Sequence, residues 1–235
     1  MSGGTPVLEL KGVNAYYGKS HALQDLSLEV REGEVVALLG RNGSGRSTTL
    51  KAVMGLVKLQ GAIRFSGRDI AGKPAFALAR LGIAYVPEER RIFANLTVAE
   101  NLRLAALSGR KGPWSERRVY ETFAALGERR NAPAKLSGGE QQMLAIARAL
   151  VANPSIILLD EPMEGLAPMI ARSVEEIVVQ MKREGNTILL VEQNAKVAMS
   201  LSDRGYILGQ GRLMAQGTIA ELLADTESMH RYLAV

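Results

Sequence analysis

The sequence predicts an α/β fold in which a mainly parallel sheet carries a small antiparallel β part and an inserted helical part. Three observations lead to this prediction. Continuous apolar runs such as Val35–Leu39 and Ser155–Leu159 are typical of strands that are buried on both faces of a parallel sheet. Segments with apolar residues at helical spacing follow such runs. The early part of the chain instead alternates apolar and polar residues, which indicates antiparallel strands.

The first part of the chain is predicted to form the antiparallel strands and the central parallel strand. Val7–Tyr17 and Leu23–Val30 alternate well enough to be strands, and a turn leads from them into Val35–Leu39. A glycine-rich loop and a helix follow this central strand. Gly61–Ile70 is expected to form a hairpin-type strand pair with a Ser-Gly turn.

Helices then interrupt the alternation of strands and helices. After a short helix at Ala75–Leu81 and a buried strand at Ile83–Val86, a helix with a capping box opens at Thr97. Two more helices begin at Ser115 and Ser137. We therefore expect an inserted helical lobe in this region.

The alternating pattern resumes in the last third of the chain. The elements expected there are a strand at Ser155–Leu159, a helix at Ala171–Arg183, a strand at Thr187–Val191, a hairpin around Gly209 and Gly211, and a capping-box helix after Thr218. We assign residues 90–150 to the helical lobe, and residues 7–89 and 151–235 to the core with its antiparallel part. Together they form a single domain of residues 1–235.

Composition limits the class of protein. The chain has 235 residues, of which 47% are hydrophobic, so it can bury one large core. It has no cysteine, which excludes a disulfide framework and a thiolate metal site. The N-terminal segment lacks the pattern of a signal peptide, and no window approaches about 18 consecutive apolar residues. We therefore expect a soluble, cytoplasmic protein.

The formal net charge of +5 is concentrated between Arg103 and Lys135, where eight Arg or Lys residues stand against three Glu residues. Three interpretations of this basic segment are open. It could face nucleic acid, it could face an anionic membrane or the loops of a membrane protein, or it could be a solvated helical surface.

The segment between the central strand and its helix has the spacing of a phosphate-binding loop, G-x-x-x-x-G-K-[ST]. Inward-turned backbone N–H groups and the N-terminus of the helix would hold phosphates, and Ser47 would offer its hydroxyl to Mg²⁺. Arg46 stands in the position of the lysine. The alternative is a glycine-rich β-to-α turn without a ligand. The expected phosphate-binding residues are Gly40, Arg41, Asn42, Gly43, Ser44, Gly45, Arg46, Ser47 and Thr48.

The segment IILLDEP, Ile156–Pro162, places two adjacent carboxylates at the end of a buried strand. Carboxylates at this place are costly unless a cation or ligand meets them, and ligands bind at strand ends in open α/β sheets. We expect Asp160 to hold the Mg²⁺ ion and Glu161 to orient and deprotonate the water that attacks the terminal phosphate. The alternative is that both residues merely cap the next turn.

The segment LSGGEQQMLAIARAL begins at Leu136. Ser137 and Glu140 fit a capping box before an apolar stripe, so an ordinary, well-started helix explains most of the pattern. Gly138 and Gly139 add a second feature, because bare backbone residues at a helix N-terminus form an anion site.

The three motifs together resemble the nucleotide-binding subunits of ABC transporters, over essentially the whole chain. This resemblance implies a P-loop NTPase core and a head-to-tail pair of subunits that encloses two ATP molecules. Each ATP would lie between the phosphate loop of one subunit and Ser137, Gly138 and Gly139 of the other. Tyr17 falls where the family stacks an aromatic ring on adenine, although a half-buried strand tyrosine explains it without the family.

Two substitutions narrow the resemblance. Glu88 and Gln193 stand where most members have Gln and His, and both look like the branched-chain amino-acid importer branch, specifically the shorter of its two ATPases. The resemblance gives Glu88 a role in catalysis and Mg²⁺ binding, and gives Gln193 a role in catalysis. A urea or short-amide importer is a close relative and stays an alternative.

Three residues depart even from that branch, namely Arg46 in place of lysine, Glu89 in place of glycine and Met163 in place of a small hydroxyl residue. Arg46 matters most, because a planar guanidinium cannot occupy the compact position of an ammonium group without rearrangement. We expect ATP binding to survive this change and the rate of hydrolysis to be affected.

The resulting hypothesis is an ATPase subunit of a bacterial amino-acid importer that uses ATP and Mg²⁺. Its expected partners are a second, different ATPase subunit, membrane permeases that dock on the helical lobe and, indirectly, a periplasmic binding protein. No nucleic acid is expected, and the chain would lie peripherally on the inner face of the cell membrane. A regulatory subunit that holds ATP without turning it over is the alternative. A soluble ABC protein acting on nucleic acid is less well supported, because such proteins usually carry two cassettes or long insertions.

Overall fold

Two sheets and ten helices make up the part of the chain that the computed structural model describes, which is residues 6–107, 109–131 and 135–233. The strands are β1 (Pro6–Tyr17), β2 (Ser20–Arg31), β3 (Val35–Leu39), β4 (Lys58–Phe65), β5 (Arg68–Asp69), β6 (Ile83–Val86), β7 (Ile156–Asp160), β8 (Ile188–Val191), β9 (Arg204–Gly209) and β10 (Arg212–Thr218). The helices are α1 (Arg46–Val53), α2 (Ala75–Leu81), α3 (Val98–Leu107), α4 (Glu116–Thr122), α5 (Ala124–Glu128), α6 (Gly138–Val151), α7 (Pro168–Arg183), α8 (Ala195–Leu201), α9 (Ile219–Ala224) and α10 (Thr226–Leu233). Both ends of the predicted domain of residues 1–235 lie outside the described residues.

The first sheet is antiparallel and has the strand order β2-β1-β4-β5. The predicted hairpin is confirmed, because β4 and β5 are joined at Ser66 and Gly67, whose φ angles of 47° and 75° suit a two-residue hairpin turn. Strand β4 begins at Lys58, three residues before the predicted start. Its first residues are exposed or half-buried, so they lack the alternation that marks the rest of the strand.

The second sheet has the order β10-β9-β3-β8-β7-β6, in which only β10 is antiparallel to its neighbour. Every residue of β3, β7 and β8 is buried, as the continuous apolar runs predicted. The three strands are adjacent and parallel, so their C-terminal ends meet at one edge of the sheet. This edge is where the glycine-rich loop after β3 and the carboxylates after β7 come together.

Four helices, α3 to α6, lie between β6 and β7 in the chain. Helix α6 contacts α3 and β6, and its residues Leu144 and Leu150 belong to the same buried cluster as Ile157 and Leu159 of β7. The inserted helices therefore share a core with the second sheet. The boundaries at residues 90 and 150 stay a prediction.

Several helix ends differ from the prediction. Helix α7 begins at Pro168 rather than Ala171, because proline is well suited to the first helical position. Helices α5, α8 and α10 were not predicted. The signal for α8 was Asn194, whose Oδ1 accepts N–H bonds from Lys196 at 3.1 Å and Val197 at 3.3 Å as an N-cap.

Candidate functional site

A cleft of about 350 Å³ opens at the edge of the second sheet where β3, β7 and β8 end. It brings together the glycine-rich loop with the segments that follow β6, β7 and β8. The residues that line it are Asn42, Gly43, Ser44, Gly45, Arg46, Ser47, Thr48, Glu88, Glu161, Glu164 and Gln193. Ten of these eleven residues are predicted site residues, and Glu164 is the addition.

The backbone of the loop has the conformation that its glycines predicted. Gly40, Gly43 and Gly45 have φ angles of 145°, 78° and 105°, which residues with a side chain rarely adopt. A Cβ at Gly45 would also lie 2.7 Å from Leu23 Cδ2. Helix α1 begins directly after Gly45 without a side-chain cap, so its first N–H groups are available to an anion.

Arg46 is enclosed within this cleft, and its side chain is only 4% exposed. Its Nη1 donates to the carbonyl oxygen of Glu192 at 2.7 Å. Its Nη2 donates to Asn42 Oδ1 at 3.1 Å and to Glu161 Oε1 at 3.0 Å. The arginine that replaces the loop lysine therefore forms an ion pair with the predicted catalytic carboxylate.

Glu161 follows β7 in a strained backbone conformation, with φ at 47°. Burial raises the pKa of its carboxyl above the usual range, and the charge of Arg46 opposes this shift. The negative charges of Glu192, Glu88 and Asp160 raise the pKa of Glu161 further. A carboxyl group with a raised pKa in a cleft has the character of a general base.

Asp160 lies behind the cleft and is almost completely buried. Its Oδ2 accepts a hydrogen bond from the Tyr85 hydroxyl at 2.9 Å, whereas its Oδ1 has no hydrogen-bond partner. Burial and the neighbouring charge of Asp160 raise the pKa of the Tyr85 hydroxyl. Sequence analysis missed Tyr85, and its only signal was a polar group within the buried strand β6.

The unpartnered Oδ1 of Asp160 is a donor that suits a hard cation such as Mg²⁺. Ser47 and Glu88, the other predicted Mg²⁺ residues, line the cleft itself. In residues 6–107, 109–131 and 135–233 no cluster of three or more His, Asp or Glu residues could hold a metal alone.

The turn after β8 presents Gln193 to the cleft. The side chain of the preceding residue, Glu192, is buried, and its Oε1 accepts N–H bonds from Gln193 at 2.9 Å and Asn194 at 3.4 Å. Burial raises the pKa of the Glu192 carboxyl, and these bonds oppose the shift. Sequence analysis missed Glu192, which fixes this turn and also offers its carbonyl oxygen to Arg46.

The remaining predicted site residues lie outside the cleft. Ser137 is exposed at the start of α6, where its predicted capping box with Glu140 is confirmed. A Cβ at Gly138 would lie 2.8 Å from Arg90 Nη1. Tyr17 ends β1 in the first sheet with 47% of its surface exposed. The remaining predicted residues outside the cleft lining are Gly40, Arg41, Gly139 and Asp160.

The basic segment from Arg103 to Lys135 is partly ion-paired with carboxylates. Five of its arginines form ion pairs, of which Arg118 with Glu184 at 2.6 Å and Arg117 with Glu121 at 2.8 Å are the shortest. This arrangement favours the interpretation of a solvated helical surface. In the part of the chain that the structure describes, no helix is long and apolar enough to cross a membrane.

Comparisons with known proteins identify the family. A family model described as "ABC transporter" matches residues 23–164. The chain is 45% identical over 231 residues to BraG of Pseudomonas aeruginosa, a high-affinity branched-chain amino acid transport ATP-binding protein, with 97% and 99% of the two chains covered. It is 39% identical over 217 residues to LivF of Archaeoglobus fulgidus, a probable branched-chain amino acid transport ATP-binding protein, with 90% and 92% of the two chains covered. It is 37% identical over 234 residues to LptB of Haemophilus influenzae, a lipopolysaccharide export system ATP-binding protein, with 97% of each chain covered.

Comparison with solved structures leads to the same family. An ATP-binding subunit of an ABC transporter superposes with a TM-score of 0.82 at 34% identity, covering 94% of this chain and 93% of that one. A dimeric ATP-binding cassette with bound ADP and phosphate superposes with a TM-score of 0.78 at 27% identity, covering 90% and 98%. The predicted P-loop NTPase fold is thereby confirmed. The chain belongs to the ABC transporter family and is one of its ATP-binding cassettes.

Proposed function

We propose that this chain is the ATP-hydrolysing subunit of a bacterial importer for branched-chain or related amino acids. The observation that carries the proposal is the convergence of the glycine-rich loop, Glu88, Glu161 and Gln193 on one cleft. The choice of substrate class follows the greater identity to BraG, 45%, than to LptB, 37%.

Different residues in and behind the cleft would have different roles in ATP hydrolysis. The loop N–H groups and the N-terminus of α1 bind the phosphates, and Ser47, Asp160 and Glu88 would hold Mg²⁺, which neutralises phosphate charge when bound. Glu161 takes a proton from the attacking water, and Gln193 orients that water.

A second subunit completes each site. Ser137, Gly138 and Gly139 lie outside the chain's own cleft at the N-terminus of α6, where Ser137 is exposed, Gly138 is half-buried and Gly139 is buried. The nucleotide of another subunit would meet this helix N-terminus on the side of Ser137. The dimeric relative with ADP and phosphate supports such pairing. In this importer branch the second ATPase is expected to be a different chain.

The permeases would dock beside the inserted helices, which would hold the chain on the inner face of the membrane. A groove of about 760 Å³ runs there between α2, β6, α3 and α6, and its lining includes the exposed side chains of Phe76, Phe93 and Leu104. An apolar groove of this kind suits an amphipathic segment of a partner. Nucleic acid is not an expected partner, because five of the eight basic residues in the basic segment are engaged in ion pairs.

A second candidate is a regulatory subunit that binds ATP without turning it over efficiently. The observation that favours it is the ion pair between Arg46 and Glu161, which engages the catalytic carboxylate. This second candidate keeps the assignment to an amino-acid importer. It differs only in that the partner's loop, rather than this chain's loop, hydrolyses ATP.

The test is reconstitution of the chain with a second ATPase and branched-chain amino-acid permeases in liposomes. Leucine-loaded binding protein should stimulate phosphate release and uptake of labelled leucine. Replacing this chain with the Ser137→Ala variant should suppress both signals. Turnover that does not respond to the loaded binding protein would contradict the importer assignment.

A further inference from the structure

We propose that Arg46 is a positioning residue for Glu161, and that the phosphates of a nucleotide compete with the Glu161 carboxylate for the Arg46 guanidinium. The carboxylate becomes free to act on water only after the phosphates have taken its place. This inference rests on the proposed function, because Glu161 is the base assigned there.

The guanidinium lies in a position built from three separate segments. Glu192 supplies a carbonyl oxygen from the turn after β8, Asn42 supplies Oδ1 from the loop, and Glu161 supplies a carboxylate oxygen from the end of β7. The side chains of Arg46 and Glu161 are 4% and 12% exposed. An ion pair with this little exposure is only weakly screened by salt, and removing one partner leaves the other charge buried and unpaired.

The shape of arginine makes this contact specific. A guanidinium has five N–H donors in a rigid plane, and both N–H groups of Nη2 are engaged, one by Asn42 and one by Glu161. Carboxylates and phosphates are the two anions that this fork binds best. A lysine has three rotatable donors at one point, so it cannot reach the same three acceptors in the same geometry.

The competition has a thermodynamic consequence. If phosphate binding weakens the pair between Arg46 and Glu161, then weakening that pair must strengthen phosphate binding by the same factor. A substitution at Glu161 should therefore raise the affinity for a nucleotide, and it should do so only when residue 46 is arginine.

The test measures ADP binding to the isolated chain in the presence of a chelator, so that neither hydrolysis nor magnesium contributes. Glu161→Gln keeps the shape and removes the charge, and we expect it to tighten ADP binding about tenfold, the scale of one charge-assisted hydrogen bond. Glu161→Asp keeps the charge but withdraws the carboxylate, and it should also tighten binding. The matched control is Glu164→Gln, a carboxylate that lines the same cleft without pairing with Arg46; it should change affinity less than about twofold.

The decisive comparison repeats these measurements in an Arg46→Lys background. There Glu161→Gln should change ADP affinity less than about twofold, because the coupling requires the guanidinium. An equal gain in both backgrounds, or a gain as large for Glu164→Gln, would overturn the inference and indicate a general effect of negative charge. Failure of the unmodified chain to bind ADP would overturn the proposed function as well, whereas binding without coupling overturns the inference alone.

Discussion

Two glycine-rich segments of this molecule lead into helix N-termini, and they differ in capping and in exposure. The loop before α1 has no side-chain cap, and its arginine is enclosed and ion-paired within the cleft. The segment before α6 has a complete capping box, and its Ser137 is exposed. The first segment therefore lines the cleft of this chain, whereas under the proposed function the second would face a nucleotide bound by another subunit.

The hydrogen bonds at the two helix starts explain the difference. At α6, Ser137 N donates to Glu140 Oε2 at 2.7 Å, and Glu140 N donates to Ser137 Oγ at 3.4 Å. Two of the donors at that helix end are thus already satisfied, and only part of it is open to an anion. At α1 the missing cap leaves the first turn open, so this end can bind phosphates with its backbone alone.

The largest expected effect tests which of the two segments carries turnover. Arg46 is expected to displace the γ-phosphate from its reactive position, and a small displacement costs about a hundredfold in rate. Most turnover would then occur at the other site, which is formed by the partner's loop and this chain's Ser137. Ser137→Ala should then reduce transport-coupled phosphate release about a hundredfold, and Arg46→Ala much less.

A matched control separates this effect from loss of a helix cap. Ser115 is the N-cap of α4 and accepts an N–H bond from Arg118 at 3.2 Å, so Ser115→Ala removes a similar cap without touching the glycine pair. It should leave turnover within about twofold, since a cap contributes only about 1 kcal/mol to stability. The comparison fails if Arg46→Ala abolishes phosphate release while Ser137→Ala leaves it intact.

A second prediction concerns pairing of the two segments between subunits. Each closed site would need the α6 segment of another subunit, and the importer branch is expected to supply a different ATPase for this purpose. ATP and Glu161→Gln should therefore produce little stable dimer from this chain alone. Adding the second ATPase should strengthen association at least about tenfold, through contacts that ATP supplies on both sides. Sedimentation velocity with and without the second ATPase measures this. A tight homodimer in its absence contradicts the heteromeric arrangement.

The local features of both segments could be predicted from the sequence. The glycine spacing, the Ser137 capping box and the buried strands each depend on a short, continuous stretch of sequence. The sequence pattern was therefore sufficient to predict each of them. The partners of Arg46 were not predictable, because Glu161 and Glu192 lie 115 and 146 residues away in the chain. The same reason applies to the bond between Tyr85 and Asp160, which depends on β6 and β7 being neighbours in the sheet.

The third prediction concerns the shape of residue 46. Arg46→Lys should raise the activity of this chain's own site about tenfold, because a lysine fits between the phosphates and releases the Glu161 carboxylate. The measurement is single-turnover phosphate release in a complex whose partner loop has been disabled. A lysine variant that is slower than the arginine form would show that the guanidinium is the working arrangement.

The smallest expected effect concerns the binding of adenine. The adenine of a nucleotide held by the loop before α1 would reach toward the antiparallel sheet, where Tyr17 lies. Tyr17 is exposed at the end of β1, whereas the ring of its neighbour Tyr16 stacks on His21 with 4.5 Å between centroids. If Tyr17 stacks on adenine, Tyr17→Ala should weaken ADP binding about fivefold, consistent with the roughly 1 kcal/mol of an aromatic pair. Binding of inorganic pyrophosphate should not change, because it has no ring to stack.

Tyr16→Ala is the matched control, since it removes a neighbouring ring that already has a partner. Equal losses from the two variants, or a loss of pyrophosphate binding, would mean that the substitution disturbs the end of β1 rather than a contact with adenine.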